Sequence, residues 1–166
     1  PGDQLILTKA LGIGTLFAAH MQLAADGRDI SAALKSMLQG NREAAMLALA
    51  HGASACTDIT GFGLLGHLLE MLAGVHGARL SLAQLPVLGG ALDHLRGGIV
   101  STMHAANERS ATQLYQHSPS VDAARAALAV AVGHVALRNP TVILDTLESR
   151  ATRDKAIEVL RDAFDM

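Results

Sequence analysis

A strand that runs directly into a glycine-rich turn and out into a helix can be built in few ways, and residues 55–67, ACTDITGFGLLGH, read as that unit. Gly61, Gly63 and Gly66 spell G-x-G-x-x-G. In a dinucleotide-binding domain the first glycine follows a buried parallel strand, the pyrophosphate meets the helix amino end, and an acid about 20 residues on holds the ribose. None of that context is present. Thr57, Asp58 and Thr60 precede the turn, and a carboxylate there would repel a pyrophosphate unless a cation lay between them. Residues 71–92 contain no Asp or Glu. The dinucleotide reading is therefore rejected, and two others stay open. Helix amino ends attract anions, and an adjacent carboxylate is an oxygen ligand of the kind Mg²⁺ takes together with phosphate oxygens. Equally, Asp58 or Thr60 could simply cap the helix.

The rest of the chain places this unit in a mixed domain. Residues 5–8 read as a strand after a Gly2-Asp3 turn, with Asp3 bonding its own backbone and Lys9 solvated at the strand end. Residues 14–26 are helical in composition and stop at Gly27, after which Ser31 would cap a helix with Leu34, Met37 and Leu38 on one face. Residues 42–50 supply another helix, closing on Gly52. After the turn, Leu65, Leu68, Leu69 and Leu72 share a helical face. Residues 78–85 alternate at Leu80 and Leu82, slip at Leu85, and read as a strand. A short helix covers residues 91–96, and residues 99–116 read as a strand leading into a helix. Residues 121–137 form a helix apolar nearly all round, residues 141–145 a strand, and residues 151–164 an amphipathic helix.

Composition excludes several function classes. With three Phe and one Tyr in 166 residues, the core must be aliphatic and bases would find almost nothing to stack on. Net charge is −2, with acids and bases interleaved and no basic block, so nucleic acid is not an expected partner. No apolar run is long enough to cross a bilayer, and no membrane association is expected. Cys56, the single cysteine, rules out an internal disulfide or a C-x-x-C pair and suits a cytoplasmic protein. It shares a strand face with Asp58 and reads as a small core residue rather than a nucleophile. Starting at Pro1, the chain reads as a piece of a longer protein.

Two longer stretches, GDQLILTKALGIG (residues 2–14) and TDITGFGLLGHLLEM (residues 57–71), closely resemble the carboxy-terminal domain of the selenophosphate synthetase family, the selenide, water dikinases. NREAAMLALAHGASACTDITGFG and LPVLGGALDHLRGGIVSTMHAANERSA also run in the family's order, so the likeness covers residues 2–116. It implies the aminoimidazole ribonucleotide synthetase-like superfamily and an α+β fold, a layered α/β domain with a mixed, largely antiparallel sheet covered by helices. It implies a homodimer that uses Mg²⁺ and ATP to make selenophosphate from selenide and water, releasing AMP and phosphate. In the family an amino-terminal ATP-binding domain carries the reactive Cys or selenocysteine, a lysine and most nucleotide-binding acids. This chain, a single domain over residues 1–166, would then hold no catalytic residue and would have that domain as its partner. The aspartate of the family's TD(I/V)TGFG motif binds Mg²⁺, which is Asp58 here, with Thr60 and Gly61 beside the same phosphates.

Two departures stand out. Where the family reads DPQTSGG, this chain has NPTVILDTLES (residues 139–149), and the family's GGT-x-x-N segment appears as STMHAANE, with Asn107 as the matching asparagine. The second variant resembles forms fused behind a flavin-type oxidoreductase domain. Alternatives to the synthetase reading are another member of the superfamily, such as thiamine-monophosphate kinase, and a non-catalytic assembly module dimerising through residues 121–137. His67 and Glu70 share a helix face without a third metal ligand, and His67 is expected to donate to a backbone carbonyl.

Overall fold

The computed structural model describes residues 3–72, 77–111 and 141–145. Strand β1 (Gln4–Leu7) leads through a tight turn into helix α1 (Ile13–Met21), followed by α2 (Gly27–Leu38) and α3 (Arg42–Ala50). Strand β2 (Ala55–Asp58) then enters helix α4 (Gly63–Leu72). A short 3₁₀ turn at Leu82–Gln84, helices α5 (Ala91–Arg96) and α6 (His104–Ala111), and strand β3 (Thr141–Asp145) complete the described elements. The strands make one sheet in the order β1-β3-β2, with β3 antiparallel to both neighbours. Gln4 lies opposite Asp145 and Leu7 opposite Val142, while Ala55 faces Leu144 and Asp58 faces Thr141. Residues 141–145, within the segment that stands in place of the family's DPQTSGG, are thus the middle of the three described strands. The expected helices over residues 121–137 and 151–164 lie outside the described residues.

Apolar side chains gather in two adjoining clusters. Leu11, Ile59, Leu64, Leu65 and Leu95 form one, and Leu16, Ile30, Ala33 and Ala91 the other, with Val87 packed against both. Full burial of each Leu or Ile contributes about 1.5–3 kcal/mol. Helix α4 packs beside β2 and against α6. It therefore buries a wider face than its leucine periodicity indicates: Leu64, Leu65, Leu68 and Leu72, together with His67.

The turn between β1 and α1 is fixed by backbone pairing. The Leu11 N–H donates to the Pro86 carbonyl and the Leu88 N–H to the Leu11 carbonyl, both at 2.9 Å. That pairing brings the next residue, Gly12, against the start of α5. Gly12 has φ 121°, and a Cβ built there would lie 2.6 Å from the Ala91 Cβ.

Five local expectations are corrected. Ser31 does not cap α2; the helix starts at Gly27, where the Asp26 side chain accepts from the Arg28 N–H at 2.7 Å, and the Ser31 hydroxyl donates back to the Gly27 carbonyl. Aspartate is as good an N-cap as serine, and here the Arg28 side chain and N–H also bond the Asp26 carboxyl and hold it below its usual pKa. Among the described residues, 78–85 pair with no strand. The slip at Leu85 is the 3₁₀ turn, whose period of three puts Leu82 and Leu85 on one side, against the core. Lys9 is not solvated: it is buried, and its ammonium donates to the carbonyl of Gln39, the C-cap residue of α2, where a cation also opposes the helix dipole. Asp3 does not turn on itself but accepts from Ser54 Oγ at 2.8 Å, joining the starts of β1 and β2. Residues 99–103 form no strand, and the helix α6 begins at His104.

Candidate functional site

The site is built where β2 ends. Strand alternation leaves Cys56 and Asp58 exposed on one side of β2. Ile59, wholly buried, then sinks into the first core cluster. This anchor fixes the backbone that carries Asp58 and starts the turn. The Gly63 N–H donates to the Thr60 carbonyl at 3.1 Å, and Gly63 adopts φ 78°, a left-handed conformation that only glycine takes without cost.

Two buried polar side chains hold the turn from behind. Asn107, on α6, is 3% exposed and donates from Nδ2 to the Gly61 carbonyl at 2.8 Å. His67, one turn into α4, places Nε2 2.8 Å from Thr60 Oγ1 and Nδ1 3.1 Å from Glu70 Oε2. The Phe62 ring meets the imidazole edge-on, with centroids 6.0 Å apart. His67 therefore bonds side chains, not the backbone carbonyl expected for it. Its link to Glu70 could be foreseen from i,i+3 spacing; its link to Thr60 depends on how the turn folds back and leaves no mark in the sequence.

The structure thus brings Asp58, Thr60 and Gly61 together at one strand end, with His67 and Asn107 as their supports. The Asp58 carboxylate is exposed, and no described residue forms an ion pair or hydrogen bond with it. An unneutralised carboxylate on a fixed backbone fits one oxygen ligand of Mg²⁺. No group of three or more His, Cys, Asp and Glu able to hold a metal occurs among the described residues. Among the described residues, then, Asp58 does not belong to a ready-made cluster of metal ligands.

Cys56 is poorly suited to nucleophilic work. Its thiol is partly withdrawn from water although the residue as a whole is exposed, and this desolvation, followed by the nearby Asp58 charge, pushes its pKa up. The thiol, not the thiolate, prevails at neutral pH. Alkylation of Cys56 by iodoacetamide should be slow at pH 7 and climb only above the ordinary thiol range. Asp58→Asn should speed it at fixed pH by removing a like charge, and an unchanged rate would show that the two groups do not interact.

The model of the family described as "AIR synthase related protein, C-terminal domain" matches residues 1–136. The chain belongs to that family. Among curated relatives, this AIR synthase related domain is 44% identical over 100 residues to the "Selenide, water dikinase" of Shewanella sp. (strain MR-4), a stretch covering 60% of this chain and 28% of the relative. Proteins of the same name from Shewanella sp. (strain ANA-3), at 43% over 99 residues, and Shewanella baltica (strain OS185), at 44% over 100, match with the same 28% of their length. The chain thus spans little more than a quarter of the curated relatives it matches. No described helix is long and apolar enough to cross a membrane.

Proposed function

We propose that this AIR synthase related domain is the carboxy-terminal part of a selenophosphate synthetase-like enzyme, converting ATP, selenide and water to selenophosphate, AMP and phosphate. Its place is against an amino-terminal ATP-binding domain of the same protein, within a cytoplasmic homodimer. The three described strands would form part of a larger layered sheet covered by helices. The single observation that carries the reading is the exposed Asp58 carboxylate, unpaired among the described residues, at the mouth of a turn fixed by Ile59, His67 and Asn107. The similarity to proteins named selenide, water dikinase supports it.

In this reading Asp58 is one ligand of Mg²⁺, and Thr60 and Gly61 lie beside the phosphates. When bound, the cation offsets phosphate charge and leaves phosphorus open to attack. The chain's own residues hold position. Ile59 keeps the Asp58 backbone from retreating, and the Asn107 bond turns the Gly61 carbonyl inward, away from phosphate oxygens that it would repel. No residue of this chain serves as nucleophile or general acid. ATP consumption by the full-length protein is expected to depend on selenide and Mg²⁺, and the 166 residues alone should consume none. Consumption that ignores selenide but follows another phosphate acceptor would replace the synthetase with a different enzyme of the superfamily.

One observation favours a second reading, a non-catalytic assembly module. Leu34 and Leu38 on α2 and Met46 and Leu49 on α3 are between 46% and 75% exposed. Such apolar side chains suit contact with another domain or subunit. The fate of an Asp58 variant, taken up in the Discussion, separates the two readings.

A further inference from the structure

The function proposed above puts Thr60 beside phosphate, yet the hydrogen bonds around His67 leave Thr60 little to give a phosphate. An ionised carboxylate only accepts, so the contact of 3.1 Å between Glu70 Oε2 and His67 Nδ1 requires the proton on Nδ1. In the neutral ring Nε2 is then a bare acceptor. Thr60 Oγ1, 2.8 Å from it, must donate its single proton inward. The hydroxyl oxygen keeps only lone pairs for any other partner. Two residues earlier, the Asp58 carboxylate is also an acceptor. The strand end therefore offers acceptors at both positions, which suits a hydrated cation and not a bare phosphate oxygen.

We infer that His67 is a positioning residue: fixed by Glu70, it locks the Thr60 hydroxyl as an acceptor for water in the coordination shell of the cation held by Asp58. His67 is 7% exposed and acts only through Thr60. The arrangement follows the common pattern in which a partner outside the ligand shell sets the orientation of a group that meets the ion or its water. The inference rests on the Mg²⁺ reading of Asp58, but its first test does not depend on that reading.

That test is the ring-nitrogen NMR spectrum of the full-length protein labelled with ¹⁵N-histidine, recorded without nucleotide or selenide, the His67 signals being those lost in His67→Gln. A protonated Nδ1 with a bare, hydrogen-bonded Nε2 is expected. A proton on Nε2, or on both nitrogens, overturns the inference while leaving the role of Asp58 untouched. A second test reads the cation directly, by Mn²⁺ binding in electron paramagnetic resonance alongside the Mg²⁺ dependence of ATP consumption. His67→Leu should weaken both about 10- to 100-fold, as loss of an outer-shell partner typically does. His67→Gln, whose amide oxygen can accept from Thr60, should stay near the wild-type value. Thr60→Val should match His67→Leu, and the double variant should be no worse than either alone, since residues acting in series are not additive. Multiplying losses would show His67 acting independently and would overturn the inference. If His67→Leu does not accumulate as folded protein, Thr60→Val compared with Thr60→Val/His67→Gln makes the same decision.

Discussion

Asp58→Asn, made in the full-length protein, is expected to lower Mg²⁺-dependent ATP consumption by at least about 100-fold, the loss typical when one preorganised electrostatic partner of the reacting groups is removed. The substitution keeps the size of the side chain and one carbonyl oxygen, but removes the charge. Because Asp58 is exposed and unpaired among the described residues, nothing in the fold should notice. The melting temperature should stay constant while raising Mg²⁺ partly restores activity. That combination would place the defect at the ion and not in folding. Unchanged consumption with an unchanged Mg²⁺ requirement would sink the synthetase reading and leave the assembly module.

The largest effect on stability is expected from Gly12→Ala. Two costs coincide there. At φ 121° an L side chain is strained, and its Cβ would meet the Ala91 Cβ at 2.6 Å. Ala91 is fully buried in the first turn of α5, and its Cβ is bonded directly to the helix backbone, so it cannot swing aside. Backbone strain of about 1–3 kcal/mol and overpacking of about 1–3 kcal/mol together give a loss of about 2–6 kcal/mol. For a domain of this size that lowers Tm by roughly 5–20 °C. Gly27→Ala is the control, since a Cβ there meets nothing within 4 Å. A Gly12→Ala variant that melts with the wild type would contradict the packing of the turn between β1 and α1 against α5.

What could be read from the sequence was local. Strand alternation put Cys56 and Asp58 on one face and the glycines marked a turn into a helix, as the structure has it, but that face is exposed and Cys56 is not the core residue expected. Of the four leucines that the spacing put on one face of α4, Leu65, Leu68 and Leu72 are buried and Leu69 is half-buried. Long-range partnerships were not legible. Lys9 is buried because Gln39, 30 residues away, ends a helix beside it. The contact of Asn107 with Gly61 spans 46 residues, and no periodicity encodes it. At residues 78–85 the leucines do mark the side that packs on the core, but the period is not that of a strand: one spacing of two and one of three are also what an extended segment ending in a 3₁₀ turn produces. Ser31 was misjudged because Asp26 just upstream competes for the same helix start.

The sheet carries a consequence for how the protein is made. Among the described strands, β1 and β2 each pair only with the middle strand, and of the three that strand is synthesised last. Between Asp58 and Thr141 the ribosome must advance 83 positions (141 − 58), several seconds at about 5–20 residues/s. Throughout that interval both early strands lack the partner that they have in the described sheet. A premature stop anywhere before Thr141 would yield a product without the strand that joins β1 to β2, a ready target for quality control.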